Sequence, residues 1–245
     1  MVAPIQVGAG ISIGAGIGFG PSVRVPLPPT LVLNLDAANY TAMPVDGSII
    51  AGAGAYTITT LNPGGSMSWD PADDGIFRKT VATDTDFLTF GPNYSATSDP
   101  YTVMMVYRSQ PGSDGRLLNA NSINPDWLTG LYSTNQNAFF NGSFVGSTIP
   151  QDNAWQFIWA TYNGEAGSPV SQSYVANSTT PTTTYATSST NGGFDGLRLF
   201  GRYLNATTSS EVPIADVGLV KVWDGVLSLS AIQAQWTAYR TRFGY

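Results

Sequence analysis

The stretch IADVGLVKVWDGVLSLSAIQAQWTAYRTRFGY, residues 214–245, joins a strand-like half to a helix-like half. Its first half, 215–224, is an apolar run rich in valine that ends in Asp224 and is followed by Gly225, a composition typical of a strand that ends in a turn. Its second half, 228–245, repeats large apolar side chains at helical spacing. The stretch therefore predicts one strand that leads into one helix.

The helical half carries its own start and stop signals. Ser230 followed by Gln233 fits a capping box, and Gly244 supplies a C-terminal stop. Its apolar stripe consists of Ile232, Trp236, Tyr239 and Phe243. We expect this single amphipathic helix to pack its stripe against a β domain or the edge of that domain.

The chain before this helix is a series of short apolar or aromatic runs separated by Gly, Pro, Asn and Asp. About a dozen strands at this spacing predict an all-β fold, a two-sheet antiparallel jelly-roll sandwich. The predicted strands cover 30–40, 55–61, 66–70, 76–81, 86–90, 101–109, 115–120, 128–133, 138–143, 155–163, 171–177, 182–188, 196–202 and 215–224.

The composition supports a β fold and excludes several functions. Charged residues make up 11% of the chain and the net charge is −6, so the basic surface that drives nucleic-acid binding is missing. The chain contains no cysteine and no histidine, which excludes disulfides, thiolate nucleophiles and Ser-His-Asp triads. The remaining route to hydrolysis is a pair of carboxylates.

The N-terminal stretch VGAGISIGAGIGFG, residues 7–20, alternates apolar residues with glycine or serine. Alternation with a period of two indicates an extended strand with one nearly bare face, and glycine there allows another backbone to approach closely. We interpret 1–20 as an extended assembly arm, 21–29 as a proline-rich linker and 30–245 as the sandwich. The residues expected to anchor the arm are Val7, Ile11, Ile13, Ile17 and Phe19.

The same N-terminal stretch does not fit an export signal or a membrane span. No Lys or Arg precedes Arg24, and glycine interrupts the apolar residues throughout. A signal peptide has a basic start and an unbroken apolar core, and a spanning helix needs about 20 mostly apolar residues. We therefore expect no signal peptide, no transmembrane segment and no membrane partner.

Five motifs occur in the order found in a known superfamily: LVLNLDAANY (31–40), MSWDPADDGIF (67–77), AWQFIWATYNG (154–164), GLRLFGR (196–202) and the stretch 214–245. Together they resemble the concanavalin A-like lectin/glucanase superfamily, especially the laminin-G-like domains of bacteriophage structural proteins. The resemblance spans 31–245 and implies the jelly-roll fold. It leaves out the arm.

The resemblance does not extend to the catalytic strand of the glucanases of that superfamily. Those enzymes carry a Glu-x-Asp-x-x-Glu or Glu-x-Asp-x-Glu pattern, in which one carboxylate attacks the sugar and another protonates the leaving oxygen. The two glutamates here, Glu165 and Glu211, lie far apart and outside such a pattern. We therefore expect a protein that is not an enzyme and needs no cofactor.

Two binding properties of the superfamily have candidate residues in this chain. Asp73 and Asp74, in the turn PADDG, match the place of a Ca²⁺ site, although a solvated loop is the favoured interpretation and the cations of the following IFRKT weaken the case for Ca²⁺. Glycan binding requires an exposed aromatic ring beside polar side chains. The aromatic residues expected in loops are Trp127, Tyr94 and Tyr203, whose alternative role is to plug an end of the sandwich.

Two functions remain open at this point. In the first, the chain is a virion subunit, such as a capsid decoration or cement protein or a tail or fibre component. Its arm would then tie it to other copies of itself or to the major capsid or tail proteins at a particle surface. In the second, it is a lectin-like module that attaches to cell-surface glycans. A subunit of a donor-strand filament is a variant of the first.

Overall fold

The structure is a computed structural model that describes residues 28–48, 50, 56–61, 65–83, 86–94, 99–121, 127–145, 149–165, 169–175, 183–186, 193–203 and 209–245. The predicted arm, with Val7, Ile11, Ile13, Ile17 and Phe19, lies outside these residues. Of the predicted linker, only Pro28 and Pro29 are described.

Seventeen strands in the described residues are numbered in chain order. The first nine are β1 (Leu31–Asp36), β2 (Thr59–Leu61), β3 (Met67–Asp70), β4 (Ile76–Lys79), β5 (Phe87–Tyr94), β6 (Tyr101–Ser109), β7 (Arg116–Ala120), β8 (Trp127–Tyr132) and β9 (Asn135–Asn141). The others are β10 (Ile149–Pro150), β11 (Gln156–Tyr162), β12 (Val170–Val175), β13 (Thr183–Ala186), β14 (Phe194–Leu199), β15 (Arg202–Tyr203), β16 (Ser209–Ser210) and β17 (Ala215–Trp223).

The strands form two large antiparallel sheets. The eight-stranded sheet has the order β13-β12-β11-β6-β17-β4-β3, and β1 also pairs with β17. The seven-stranded sheet has the order β10-β9-β8-β7-β14-β5-β2, and β15 pairs with β16 as a separate small ribbon. The many non-consecutive neighbours are those of a jelly-roll sandwich, which confirms the predicted fold class for the described residues.

The main core lies between the two sheets. Alternate residues of each strand point inward, so Val103 and Tyr107 on β6 face Leu118 on β7 and Phe139 on β9. All four of these side chains are at most 1% exposed. The same alternation sends the intervening side chains to the outer faces of the sandwich.

One helix, α1 (Leu229–Tyr239), packs on the outer face of the eight-stranded sheet and continues as a 3₁₀ turn, Arg240–Phe243. Ile232, Trp236 and Phe243 of the predicted stripe are buried there, in a second apolar cluster that includes Phe157 and Leu219. Tyr239, the fourth member of the stripe, is half-buried. The predicted packing of the helix is therefore confirmed.

The start of the helix differs from the prediction. Ser228 rather than Ser230 is the capping residue, and its hydroxyl accepts a hydrogen bond from the backbone N–H of Ala231 at 3.2 Å. Both serines suit this role by type, and the backbone becomes helical at Leu229, two residues earlier than the capping-box pattern implied. Gly244 ends the 3₁₀ turn in the left-handed conformation, as expected.

Helix α1 is the only α-helix in the described ranges, and at 11 residues it is too short to cross a membrane.

Candidate functional site

Trp127 was expected in a loop with an exposed ring, and that prediction is wrong. It is the first residue of β8, it is 1% exposed, and its ring packs against Phe139 and Phe194 in the core. Its indole N–H donates a hydrogen bond to the Tyr101 hydroxyl at 2.8 Å. Trp127 therefore fills the sandwich, the alternative role considered for it, and its faces are closed to a ligand.

Tyr94 and Tyr203 were also expected in loops, but the structure places them in strands. Tyr94 is the last residue of β5 and pairs with Phe194, and Tyr203 is the last residue of β15 and pairs with Ser209. Their side chains lie outside the described part of the structure.

Asp73 and Asp74 lie in a short 3₁₀ turn and have positive φ angles of 50° and 61°. The Asp73 carboxylate forms an ion pair with Arg108 at 3.6 Å, and its backbone oxygen accepts a hydrogen bond from Arg242 at 2.8 Å. Within the described ranges, no three Asp, Glu, His or Cys side chains are grouped closely enough to hold a metal ion. Asp73 thus faces arginines rather than further carboxylates.

An aromatic patch, defined as Tyr132, Phe140 and Phe144, lies on the outer face of the seven-stranded sheet. Phe139 points into the core, so its neighbour Phe140 on β9 points outward. The Phe144 ring centroid lies 5.2 Å from that of Phe140 and 5.1 Å from that of Tyr132. Phe144 is 44% exposed, and the other two rings are half-buried.

Charged side chains border the aromatic patch. The Arg116 guanidinium lies over the Tyr132 ring, 5.3 Å from its centroid. Arg116 pairs with Glu211 at 2.6 Å, and Glu211 also pairs with the half-buried Arg202 at 3.0 Å. Donors and acceptors of hydrogen bonds therefore lie beside a partly exposed ring surface. This combination was predicted for Trp127, Tyr94 and Tyr203.

A polar cavity of about 410 Å³ opens on the outer face of the eight-stranded sheet. We call it the arginine cleft. It is lined by Arg78, Lys79, Thr80, Arg108, Gln110, Asn153, Ile214, Ala215 and Asp216. Its volume lies within the range of about 300–1,000 Å³ that is common for small-ligand sites.

The register of three neighbouring strands places the charges of the arginine cleft. Asp216 on β17 lies directly opposite Arg78 on β4 and Arg108 on β6. Its carboxylate accepts hydrogen bonds from the Nε atoms of both arginines, each at 2.8 Å. The hydrogen bonds and charge of Asp216 raise the pKa of Arg78 above its ordinary value, although partial burial opposes the shift.

A smaller cavity of about 220 Å³ lies on the outer face of the seven-stranded sheet. Its lining includes the polar residues Thr59, Thr89, Asn121 and Asp195. The Asn121 side-chain oxygen already accepts a hydrogen bond from Arg198 Nε at 3.2 Å, so it is partly committed within the protein.

No family model matches this chain, and neither does any sequence among the curated proteins. Solved structures do resemble it. One is a structure of botulinum neurotoxin type C, whose cell entry depends upon interaction with two ganglioside molecules; the TM-score is 0.60 at 12% identity over 86% of this chain and 51% of that one. Another is the binding domain of botulinum neurotoxin DC in complex with rat synaptotagmin II, with a TM-score of 0.58 at 11% identity over 86% and 52%.

A third similar structure is domain 4 of AbnA, a GH43 extracellular arabinanase from Geobacillus stearothermophilus, in complex with arabinotriose. Its TM-score is 0.55 at 13% identity, over 85% of this chain and 98% of that one. This chain thus spans about half the length of the neurotoxin structures and nearly all of the arabinanase domain. At these identities the likeness shows the fold, a sandwich shared with binding domains.

The sequence analysis missed the aromatic patch and the arginine cleft. In AFFNGSF (138–144), the alternation of Phe139 and Phe140 was a usable signal, since one of two successive strand residues faces outward. The cleft has no such signal, because Arg78, Arg108 and Asp216 meet only through strand pairing across the sheet.

Proposed function

We propose that this domain is a non-catalytic module that binds glycans through the aromatic patch. The observation that carries the proposal is the exposure of Phe144 beside Tyr132 and Phe140, with Arg116 and Glu211 at the border. Large exposed aromatic side chains on a soluble domain mark binding surfaces more often than scattered aliphatic ones do.

The patch suits a sugar for two physical reasons. The C–H face of a sugar ring is apolar and stacks on an aromatic face, while the hydroxyls at its edge need donors and acceptors. Phe144 offers the apolar surface, and the charged groups of Arg116, Glu211 and Arg202 offer hydrogen bonds. The similarity to an arabinanase domain that was solved with arabinotriose supports a saccharide as the ligand.

The carboxylates support a binding role rather than hydrolysis. A glycosidase needs two carboxyl groups about 5–10 Å apart on either side of the scissile bond. Glu211 is held in ion pairs with Arg116 and Arg202, and Glu165 is exposed in a different loop. The two glutamates therefore do not form the pair of carboxyl groups that hydrolysis needs.

The Phe144→Ala variant tests the proposal on a glycan array that includes arabinotriose. We expect the variant to bind glycans about tenfold or more weakly than the wild-type protein, because stacking on the most exposed ring of the patch is lost. Leu229→Ala is the matched control, because Leu229 is also 44% exposed and lies on α1, which packs on the other sheet. Glycan binding that is equal in both variants would contradict the assignment of the site.

A second candidate function rests on the alternating sequence of residues 7–20. We propose that the arm adds a strand to a neighbouring subunit, as in virion assembly or a donor-strand filament, and that its odd-numbered apolar residues enter pockets there. Fourteen extended residues reach about 45 Å, enough to cross to another subunit. The three similar structures named above are not virion proteins, so this role is supported by the arm and the motif resemblance alone.

Deletion of residues 1–20 tests the second function. We expect the truncated chain to remain folded and monomeric by circular dichroism and light scattering, and to fail to enter particles or filaments. In the full chain, Ile13→Asp should weaken assembly in the same direction, because it places a charge among the apolar anchors. Normal assembly of the truncated chain would overturn the arm hypothesis.

A further inference from the structure

The arginine cleft lies on the opposite side of the sandwich from the aromatic patch, since the two features occupy the outer faces of different sheets. A ligand in the cleft therefore does not touch the patch. The two surfaces can be tested separately by substitution, and the cleft has a different chemistry.

Arg108 is held rigidly at the cleft. Its Nε donates to Asp216 at 2.8 Å, and its guanidinium lies over the Trp155 ring, 4.6 Å from the centroid. Its strand is paired on both sides, with β11 and with β17. A guanidinium fixed by stacking and by one hydrogen bond loses little further freedom when it binds a ligand.

The terminal nitrogens of Arg108 retain capacity for a ligand. In the described part of the chain, they have one ion pair, from Nη1 to the Asp73 carboxylate at 3.6 Å, which is too long for a hydrogen bond. Arg78 differs, because its Nε and Nη2 both donate to Asp216 and its Nη1 donates to Asp70. Arg108 is thus the donor that a ligand in this cleft would meet.

The charges around the cleft leave Arg108 as the cation that an anion can engage. Among the lining residues Arg78 and Arg108 are positive and Asp216 is negative, and Asp70 and Asp73 pair with Arg78 and Arg108 from outside the lining. Lys79 also borders the cleft, but its side chain is fully buried and its ammonium pairs with Asp86 at 3.7 Å. The arginines are thus offset by carboxylates, and an anion gains the hydrogen bonds of Arg108 rather than an excess of positive charge.

We propose that the arginine cleft binds the carboxylate of an acidic sugar, a uronic or sialic acid residue. The two carboxylate oxygens accept hydrogen bonds from the terminal nitrogens of Arg108, the geometry that a guanidinium prefers. The exposed side chains of Thr80, Gln110 and Asn153 line the same cavity and match the hydroxyls of the sugar. The choice of a sugar as the carrier of the carboxylate rests on the proposed glycan-binding function.

Asp73 competes with such a ligand for Arg108, because its carboxylate already forms an ion pair with Nη1. Neutralising Asp73 should therefore strengthen binding of an acidic sugar, and removing the charge of Arg108 should weaken it. Asparagine suits position 73, because its φ of 50° lies in the left-handed region that Asn adopts readily. Two substitutions in one ion pair thus have opposite expected effects.

The experiment is calorimetric titration of the full chain with glucuronic acid, N-acetylneuraminic acid and the methyl ester of glucuronic acid. We expect at least one acid to bind about tenfold more tightly than the neutral ester. Arg108→Gln should weaken that binding about tenfold, and Asp73→Asn should strengthen it about threefold. Phe144→Ala should leave it unchanged.

The proposal is overturned if neither acid binds, or if Asp73→Asn does not increase the affinity of the acid that binds. If that acid is glucuronic acid, equal affinity for its methyl ester also overturns the proposal. The gain expected from Asp73→Asn decides the matter even if Arg108→Gln fails to fold. Failure of the cleft is distinct from failure of the patch: neutral oligosaccharides that bind and depend on Phe144 leave the proposed function intact. Acids that bind while Phe144→Ala has no effect on any glycan would support the cleft and contradict the patch.

Discussion

At the scale of single residues, Arg242 ties the end of the chain to two distant turns. Its Nη1 forms an ion pair with Asp36 at 2.6 Å, and its Nε and Nη2 donate to the backbone oxygens of Asp73 and Gly75 at 2.8 and 2.7 Å. The side chains of Arg242 and Asp36 are each only 11% exposed. Asp36 also accepts from the backbone N–H of Ala38, so one carboxylate orders two segments.

Arg242→Met is expected to lower the free energy of unfolding by about 3 kcal/mol, because it leaves Asp36 as a nearly buried charge without its cation. Urea denaturation followed by tryptophan fluorescence measures the change. Arg240→Met is the control, since Arg240 is exposed and substitutions at such positions usually change stability by less than about 0.5 kcal/mol. Equal effects of the two substitutions would show that the contacts of Arg242 do not stabilise the fold.

At the scale of elements, the packing of the C-terminal 3₁₀ turn depends on a glycine in β17. The pairing of β17 with β6 shifts register between Val217 and Leu219, which marks a bulge at Gly218. A Cβ atom at Gly218 would lie 2.4 Å from the Phe243 ring. The glycine therefore lets Phe243 lie directly on the sheet, where it contacts Trp155 with ring centroids 4.7 Å apart.

Gly218→Ala is expected to destabilise the protein by about 1–3 kcal/mol, because the new methyl group displaces the Phe243 ring. A double-mutant cycle with Phe243→Ala identifies the cause. If the ring is the obstacle, Gly218→Ala should cost much less in the Phe243→Ala background. Additive effects in thermal or urea denaturation would contradict this account of the bulge.

Part of this organisation is visible in the sequence because it is local. The predicted strand 101–109 coincides with β6, and the spacing of Ile232, Trp236 and Phe243 indicated the buried side of the C-terminal segment. Such patterns depend on neighbours a few residues away. The predicted cap of α1, Ser230, was wrong, since Ser228 is also a suitable cap and the fold selects it.

The site residues were harder to predict because exposure depends on distant parts of the chain. Trp127 follows Asn-Pro-Asp, which is typical of a loop, yet it is buried by Tyr101 and Phe194, which lie 26 residues before it and 67 residues after it. The arginine cleft depends on strand register, which no local pattern specifies. Local sequence thus indicated the elements, whereas the functional surfaces arise from their pairing.

At the scale of the whole molecule, the sandwich presents two separate surfaces with different chemistry. The seven-stranded sheet carries the partly exposed aromatic patch, and the eight-stranded sheet carries the helix and the arginine cleft. A rigid core of interleaved side chains separates them, so neither surface requires the other for its shape.

Contact between the aromatic patch and a glycan can be measured by chemical-shift mapping of the aromatic side chains by NMR during titration with arabinotriose. We expect the ring resonances of Phe144, Phe140 and Tyr132 to shift together and to saturate with one Kd. Those of the buried Trp127 and Phe139 should move little. Saturable shifts confined to other residues, or the absence of any shift with arabinotriose and with every glycan retained on the array, would contradict it.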